Sequence, residues 1–212
     1  MSVLSGGQYL LMSTIEEKST RVMEVLLSAI SPTQLLIGKI IGQGAVGLLI
    51  LLLYGGMSMV AANQFDMLAL IQPRLIVWAL VYFFIAYAFF ASLMAAAGSA
   101  VSDIREAQSL ISPIMMMLML PIFLWFPISQ NPNGMVAIVS SFFPPMTPFV
   151  MVLRMCQPGV HIPMWEMVAT TAVALLGVAF MVYAAIKIFR VGVLMYGKPP
   201  SFLGLLKWIR YA

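Results

Sequence analysis

Charge is scarce in this chain. Eleven basic and seven acidic side chains stand among 212 residues, 8% of the total, against 62% hydrophobic residues. Soluble domains carry charge at about a quarter of their positions, so this balance excludes that class. A single cysteine, Cys156, has no second thiol in the chain for an internal disulfide. The single histidine, His161, lies beside Pro158 and Pro163 and reads as a surface residue, and no HExxH zinc signature is present. Phosphate-binding GxxxxGK[ST] loops and GxSxG nucleophile elbows are missing too, so nothing equips the chain for its own catalysis. No apolar stretch holds an ionisable residue near its middle, which withdraws support from a proton- or ion-coupled carrier.

What the chain has instead is long uncharged runs, at 40–65, 75–102, 107–153 and 167–186. Crossing a hydrocarbon core takes about 20 helical residues. The runs therefore predict an all-α, polytopic membrane helix bundle with four full spans, forming a single transmembrane domain over 1–212. Residues 1–15 are also uncharged, but they include Ser2, Ser5, Gly6, Gly7 and Gln8, and they lack the basic start and cleavage site of a signal peptide. They read as the inner end of a further, partial N-terminal span. The run 107–153 is too long for one crossing and holds seven prolines, Pro113, Pro121, Pro127, Pro132, Pro144, Pro145 and Pro148. We read one kinked span over about 108–128, then short re-entrant outer helices within 129–160, broken at Asn131-Pro132-Asn133-Gly134 and Phe142-Phe143-Pro144-Pro145. An interfacial loop resting on the outer leaflet fits the same residues.

Basic residues set the orientation, because cytoplasmic loops carry the excess of them. Placing 16–34, 99–107 and 187–212 inside, the last with a cytoplasmic tail at 189–212, puts Lys18, Arg21, Lys39, Arg105, Lys187, Arg190, Lys198, Lys207 and Arg210 there, against Arg74 and Arg154 outside. Trp78, Trp125 and Trp165 then fall at outer span ends, as an aromatic belt would. The net charge of +4 reports topology, and no nucleic-acid partner is needed to explain it.

One third of the charge is concentrated in residues 16–39, at Glu16, Glu17, Lys18, Arg21, Glu24 and Lys39. At about 100° per residue, Glu16, Glu17, Thr20, Arg21, Glu24 and Ser28 share one arc, opposite Ile15, Val22, Met23, Val25, Leu26, Ala29 and Ile30. This pattern predicts an amphipathic helix over 16–30 on the cytoplasmic membrane surface. Glu17 with Arg21, and Arg21 with Glu24, are spaced to pair along that helix for roughly 0.2–0.5 kcal/mol each, so a solvated, self-paired face is the plain alternative. Ser31-Pro32-Thr33-Gln34 then predicts a restart, with Ser31 as N-cap, Pro32 at the first helical position and Gln34 closing a capping box.

Small residues mark close helix approach. Gly38 and Gly42 form a GxxxG, extended by Gly44 and Gly47, and Ala91, Ala95 and Ser99 share a face. Packing within the chain is the expected use of both. Lys39 lies one turn into its helix, near enough to the edge for its ammonium to snorkel. Glu166, at the outer start of the last span, is a candidate contact for a cationic substrate or a plain interfacial carboxylate. Gln43, Asn63, Ser92 and Ser112 are too scattered for the polar stripe of a passive channel.

Three segments together resemble the permease subunits of ABC-2 type exporters, in the branch that includes sodium-efflux permeases. They are EEKxxRxxExLL at Glu16 to Leu27, SPxQLxxGK at Ser31 to Lys39, and Ser102-Asp103-Ile104-Arg105-Glu106-Ala107-Gln108. The resemblance extends over essentially the whole chain, which is similar to the C-terminal half of such a permease, without a first span and a large extracytoplasmic domain. It implies a multi-pass protein of a bacterial or archaeal cell membrane, paired with a second permease subunit in a homo- or heterodimer and with cytoplasmic ABC ATPase subunits. The helix at 16–30 is then the coupling element, with Glu16, Glu17, Lys18, Arg21 and Glu24 as ATPase contacts and Asp103, Arg105 and Glu106 as a second contact. The resemblance implies no cofactor on this chain, ATP-Mg on the partner subunit, and energy taken from that partner's hydrolysis. A membrane anchor or scaffold for a cytoplasmic partner is the alternative function.

Overall fold

In the computed structural model, residues 2–66, 73–157, 159–193 and 195 are described. Among them the chain forms helices and no strand: α1 (Ser2–Ser19), α2 (Val22–Ala29), α3 (Pro32–Gln64), α4 (Pro73–Ala100), α5 (Ile104–Phe123), α6 (Trp125–Gln130), α7 (Met135–Ser141), α8 (Thr147–Met155) and α9 (Met164–Gly192). Four stretches are long and apolar enough to cross a membrane: α3, α4, α9, and Ile104–Gln130, which joins α5 to α6 across a break at Leu124. Pro113 and Pro121 lie inside α5, where each lacks a backbone donor. Two short helices, α7 and α8, lie within 129–160. The part of the tail from 196 to 212, including Lys198, Lys207 and Arg210, lies outside the described residues.

α4 is the centre of the bundle, packed against α1, α3, α5, α8 and α9. Its sequence explains why. From Ala91 to Ala100 every buried residue except Met94 is small, namely Ala91, Ser92, Ala95, Ala96, Ala97, Gly98, Ser99 and Ala100, which lets backbones come close. A Cβ added at Gly98 would stand 2.9 Å from the Leu11 carbonyl oxygen of α1, and one at Gly192 of α9 would stand 2.8 Å from the Ser99 carbonyl oxygen. Half-way along α4 the contact changes character. The Tyr87 ring fills a notch between Gly6 of α1 and Gly44 of α3, and its hydroxyl donates to the Ile40 carbonyl at 2.9 Å.

The glycine expectation therefore needs correcting. Gly38 and Gly42 meet nothing within 4 Å in this chain, while Gly44 and Gly47, on another face of α3, meet Tyr87 and Phe83. Four-residue spacing alone does not say which helix face turns inward; the aromatic rings of α4 decide it.

The other departure lies at 16–30. In place of one helix, α1 runs on to Ser19, Arg21 takes the left-handed conformation (φ 60°), and α2 begins at Val22. Both Lys18 and Met23 are fully buried. On a straight helix, residues five apart point about 140° away from each other and cannot both face one core. The break allows both to do so. Ser19 and Thr20 assist it, donating to the Glu16 carbonyl at 2.9 and 2.8 Å. α3 restarts as expected: the Ser31 hydroxyl accepts from Gln34 N–H at 3.3 Å, and the Gln34 side chain accepts from Ser31 N–H at 3.0 Å.

Candidate functional site

Basic helix ends converge at one pole of the bundle. The last turn of α1 carries Lys18, whose ammonium donates to the Ser99 carbonyl of α4 and the Gly192 carbonyl of α9, each at 2.7 Å. Final-turn carbonyls of a helix lack intrahelical donors and carry partial negative charge, so a buried cation is the fitting partner for two such ends. Lys18 is thus an internal cap of this chain, in contrast to its expected role as a surface contact. Beside it, Lys39 of α3 does not snorkel freely. It pairs with Glu17 at 2.7 Å and donates to the Ser13 hydroxyl at 3.2 Å. Glu17 is therefore spent largely on α3 instead of on Arg21, because α1 and α3 run side by side here.

The remaining predicted contacts stay outside. Glu16, Arg21, Glu24, Asp103 and Arg105 are exposed, and Glu106 is half-buried. Asp103 caps α5, its carboxylate accepting from Arg105 N–H at 3.0 Å. α2 itself buries Met23 but leaves Val22 and Val25 open, Val25 at 71% exposure, and Ile104 is exposed at the start of α5. α2 thus presents apolar and charged groups together, where sequence periodicity put the valines on the membrane face.

The opposite pole holds a second polar node, which sequence reasoning missed as a unit. Arg154, in the last turn of α8, is fully buried and paired with Glu166 in the first turn of α9. The same guanidinium donates to the Pro132 carbonyl at 2.7 Å, the Ser141 hydroxyl at 2.9 Å and the Asn133 side chain at 3.4 Å. One side chain thereby joins the 131–134 turn, α7, α8 and α9. Glu166 is only 4% exposed, so its carboxylate meets an arginine of this chain and is not presented to a cationic substrate. The signal was in the sequence: between residues 107 and 186, Arg154 and Glu166 are the only charged side chains, and two lone opposite charges in apolar surroundings have each other as the cheapest partner.

Little else is arranged for chemistry. Among the described residues, no group of three or more His, Cys, Asp or Glu is placed to hold a metal. Ser92 and Ser112 donate to carbonyls of their own helices, at 2.7 and 3.0 Å, and so do not join a polar path.

Four helical stretches long and apolar enough to cross a membrane, tied together at two polar poles, define a multi-pass membrane helix bundle. More particularly, the chain belongs to the ABC-2 family transporter proteins, whose family model matches residues 1–188. It is 33% identical over 209 residues to Uncharacterized protein MJ1024 of Methanocaldococcus jannaschii, covering 99% of this chain and 51% of that protein. With Uncharacterized protein YhaP of Bacillus subtilis it shares 28% identity over 223 residues, covering 100% and 53%. The chain thus spans about half the length of the curated relatives it matches. No solved structure matches it significantly.

Proposed function

We propose that this chain is permease machinery of an ATP-driven exporter, energised by a separate ABC ATPase subunit that docks on α2. The observation that carries the reading is α2 itself. It is a short helix between α1 and α3, held inward by Met23, with Val22, Val25, Arg21 and Glu24 exposed. By the positive-inside rule its pole, which carries Lys18, Arg21, Lys39, Arg105, Lys187 and Arg190, faces the cytoplasm of a bacterial or archaeal cell. A patch that combines apolar side chains with charges suits a groove on a protein partner, where the apolar groups give affinity and the charges fix register. Asp103 and the first residues of α5, Ile104 and Arg105, are exposed as well and form the second contact of this reading. The partner carries ATP-Mg, and a second permease subunit completes the translocation path.

Capture of the tagged chain from membranes, mixed with cytoplasm of its own source, tests this reading when an ABC ATPase is identified by mass spectrometry and its amount is compared with that on an Arg21→Glu/Val25→Asp variant. We expect the ATPase on the wild type and at least a tenfold loss on the variant, with membrane insertion unchanged. Equal ATPase on both would overturn the assignment of α2, and a different cytoplasmic protein lost from the variant would favour the scaffold reading.

A further inference from the structure

We infer that Lys18 is the mechanical joint that ties α2 to the inner ends of α4 and α9, a positioning residue for the coupling proposed above, on which this inference rests. The argument starts from the two sides of one residue. Through its backbone, Lys18 holds the turn into α2: its carbonyl accepts from Arg21 N–H at 3.2 Å, and the Arg21 carbonyl in turn accepts from Glu24 N–H at 3.1 Å. Through its side chain it holds two spans, donating to Ser99 O and Gly192 O at 2.7 Å each. Lys18 is fully buried, so bulk solvent does not screen these contacts.

Those two acceptors are not ordinary carbonyls. Each belongs to the final turn of a long helix, and the negative ends of two helix dipoles are brought together where Gly192 lets α9 approach Ser99. Without a cation between them the two ends repel. Lys18 therefore sets the separation of α4 and α9 as well as the anchorage of α2. A partner that shifts α2 pulls through Arg21 on Lys18 and changes both carbonyl contacts at once. The other links at this pole act differently: the Glu17–Lys39 pair ties α1 to α3 only and is partly open to solvent, which screens it. The Arg154 node lies at the far ends of α8 and α9 and has no contact with α2.

Backbone hydrogen exchange on the full chain in lipid nanodiscs, read by mass spectrometry, tests the joint. Lys18→Met keeps an unbranched apolar stem but removes the ammonium. We expect exchange to rise about tenfold or more at 97–100 and 189–192, consistent with loss of charge-assisted hydrogen bonds, and to rise together with them at 22–29, while α7 and α8 keep wild-type rates. A rise at the α4 and α9 ends with α2 unchanged would mean that Lys18 only caps them, and the inference fails. Should Lys18→Met loosen the whole chain, Arg21→Pro gives the answer from the other side: it removes the N–H donor and cannot hold the left-handed φ, yet leaves the ammonium intact. Raised exchange at 97–100 and 189–192 in that variant supports the joint; wild-type rates there overturn it. No ATPase takes part in these measurements. Equal ATPase capture on the wild type and on Arg21→Glu/Val25→Asp, with the linkage intact, therefore defeats the docking reading alone, and capture that falls on that variant, with no linkage, defeats the joint alone.

Discussion

At the residue scale, Arg154 holds together the pole opposite α2, bonding Pro132, Asn133, Ser141 and Glu166. Removing one member of a buried ion pair leaves an uncompensated charge and costs about 3–5 kcal/mol. We therefore expect Arg154→Met and Glu166→Met each to lower the thermal midpoint of the detergent-solubilised chain strongly, and the double variant to recover part of the loss. Strictly additive losses in that cycle would show that the two side chains do not interact. Glycines give a second residue-scale contrast. A methyl at Gly44 would stand 2.8 Å from the Tyr87 ring and at Gly42 would meet nothing. Gly44→Ala should cost about 1–3 kcal/mol through overpacking, whereas Gly42→Ala should be neutral or gain up to about 1 kcal/mol from helix propensity. Equal midpoints for the two would contradict the assigned face. The capping box at Ser31 was legible in the sequence because it depends on neighbours three residues apart. The fate of Lys18 was not, because its acceptors Ser99 and Gly192 lie 81 and 174 positions away.

Elements are where sequence periodicity works best and where its failure is most instructive. Long uncharged runs set the spans well, since the hydrocarbon thickness imposes a minimum length. The helix expected over 16–30 divides because tertiary demands, burial of Lys18 and of Met23, outweigh local amphipathicity. Its cost is a left-handed Arg21, roughly 1–2 kcal/mol for a residue with a Cβ. Arg21→Gly should recover about 1 kcal/mol of that in thermal unfolding of the isolated chain, and an unchanged or lower midpoint would mean that the Arg21 side chain contributes more than its backbone strain. Ser31→Ala, which removes the acceptor for Gln34 N–H, should cost about 1 kcal/mol by the same measurement.

For the whole molecule, the poles make a topological prediction. Cys156 is exposed close to Arg154, at the pole opposite α2. A membrane-impermeant maleimide should label it on intact cells, whereas Glu24→Cys in a Cys156→Ser chain should be labelled only after the cells are permeabilised. The reverse pattern would invert the orientation. The bundle was legible as a set of spans, but the central place of α4 was not, since hydropathy does not rank helices by how many neighbours their small residues admit. The Lys18 contact also has a meaning in time. Ser99 is made 81 residues after Lys18, and Gly192 only after 174, so the second acceptor of this lysine comes from a helix made well after the first. Until then the growing chain holds a cation at its core-facing edge with one helix end to satisfy instead of two. Closure of this pole thereby waits until α9 has been made, however early α1 and α4 have found each other.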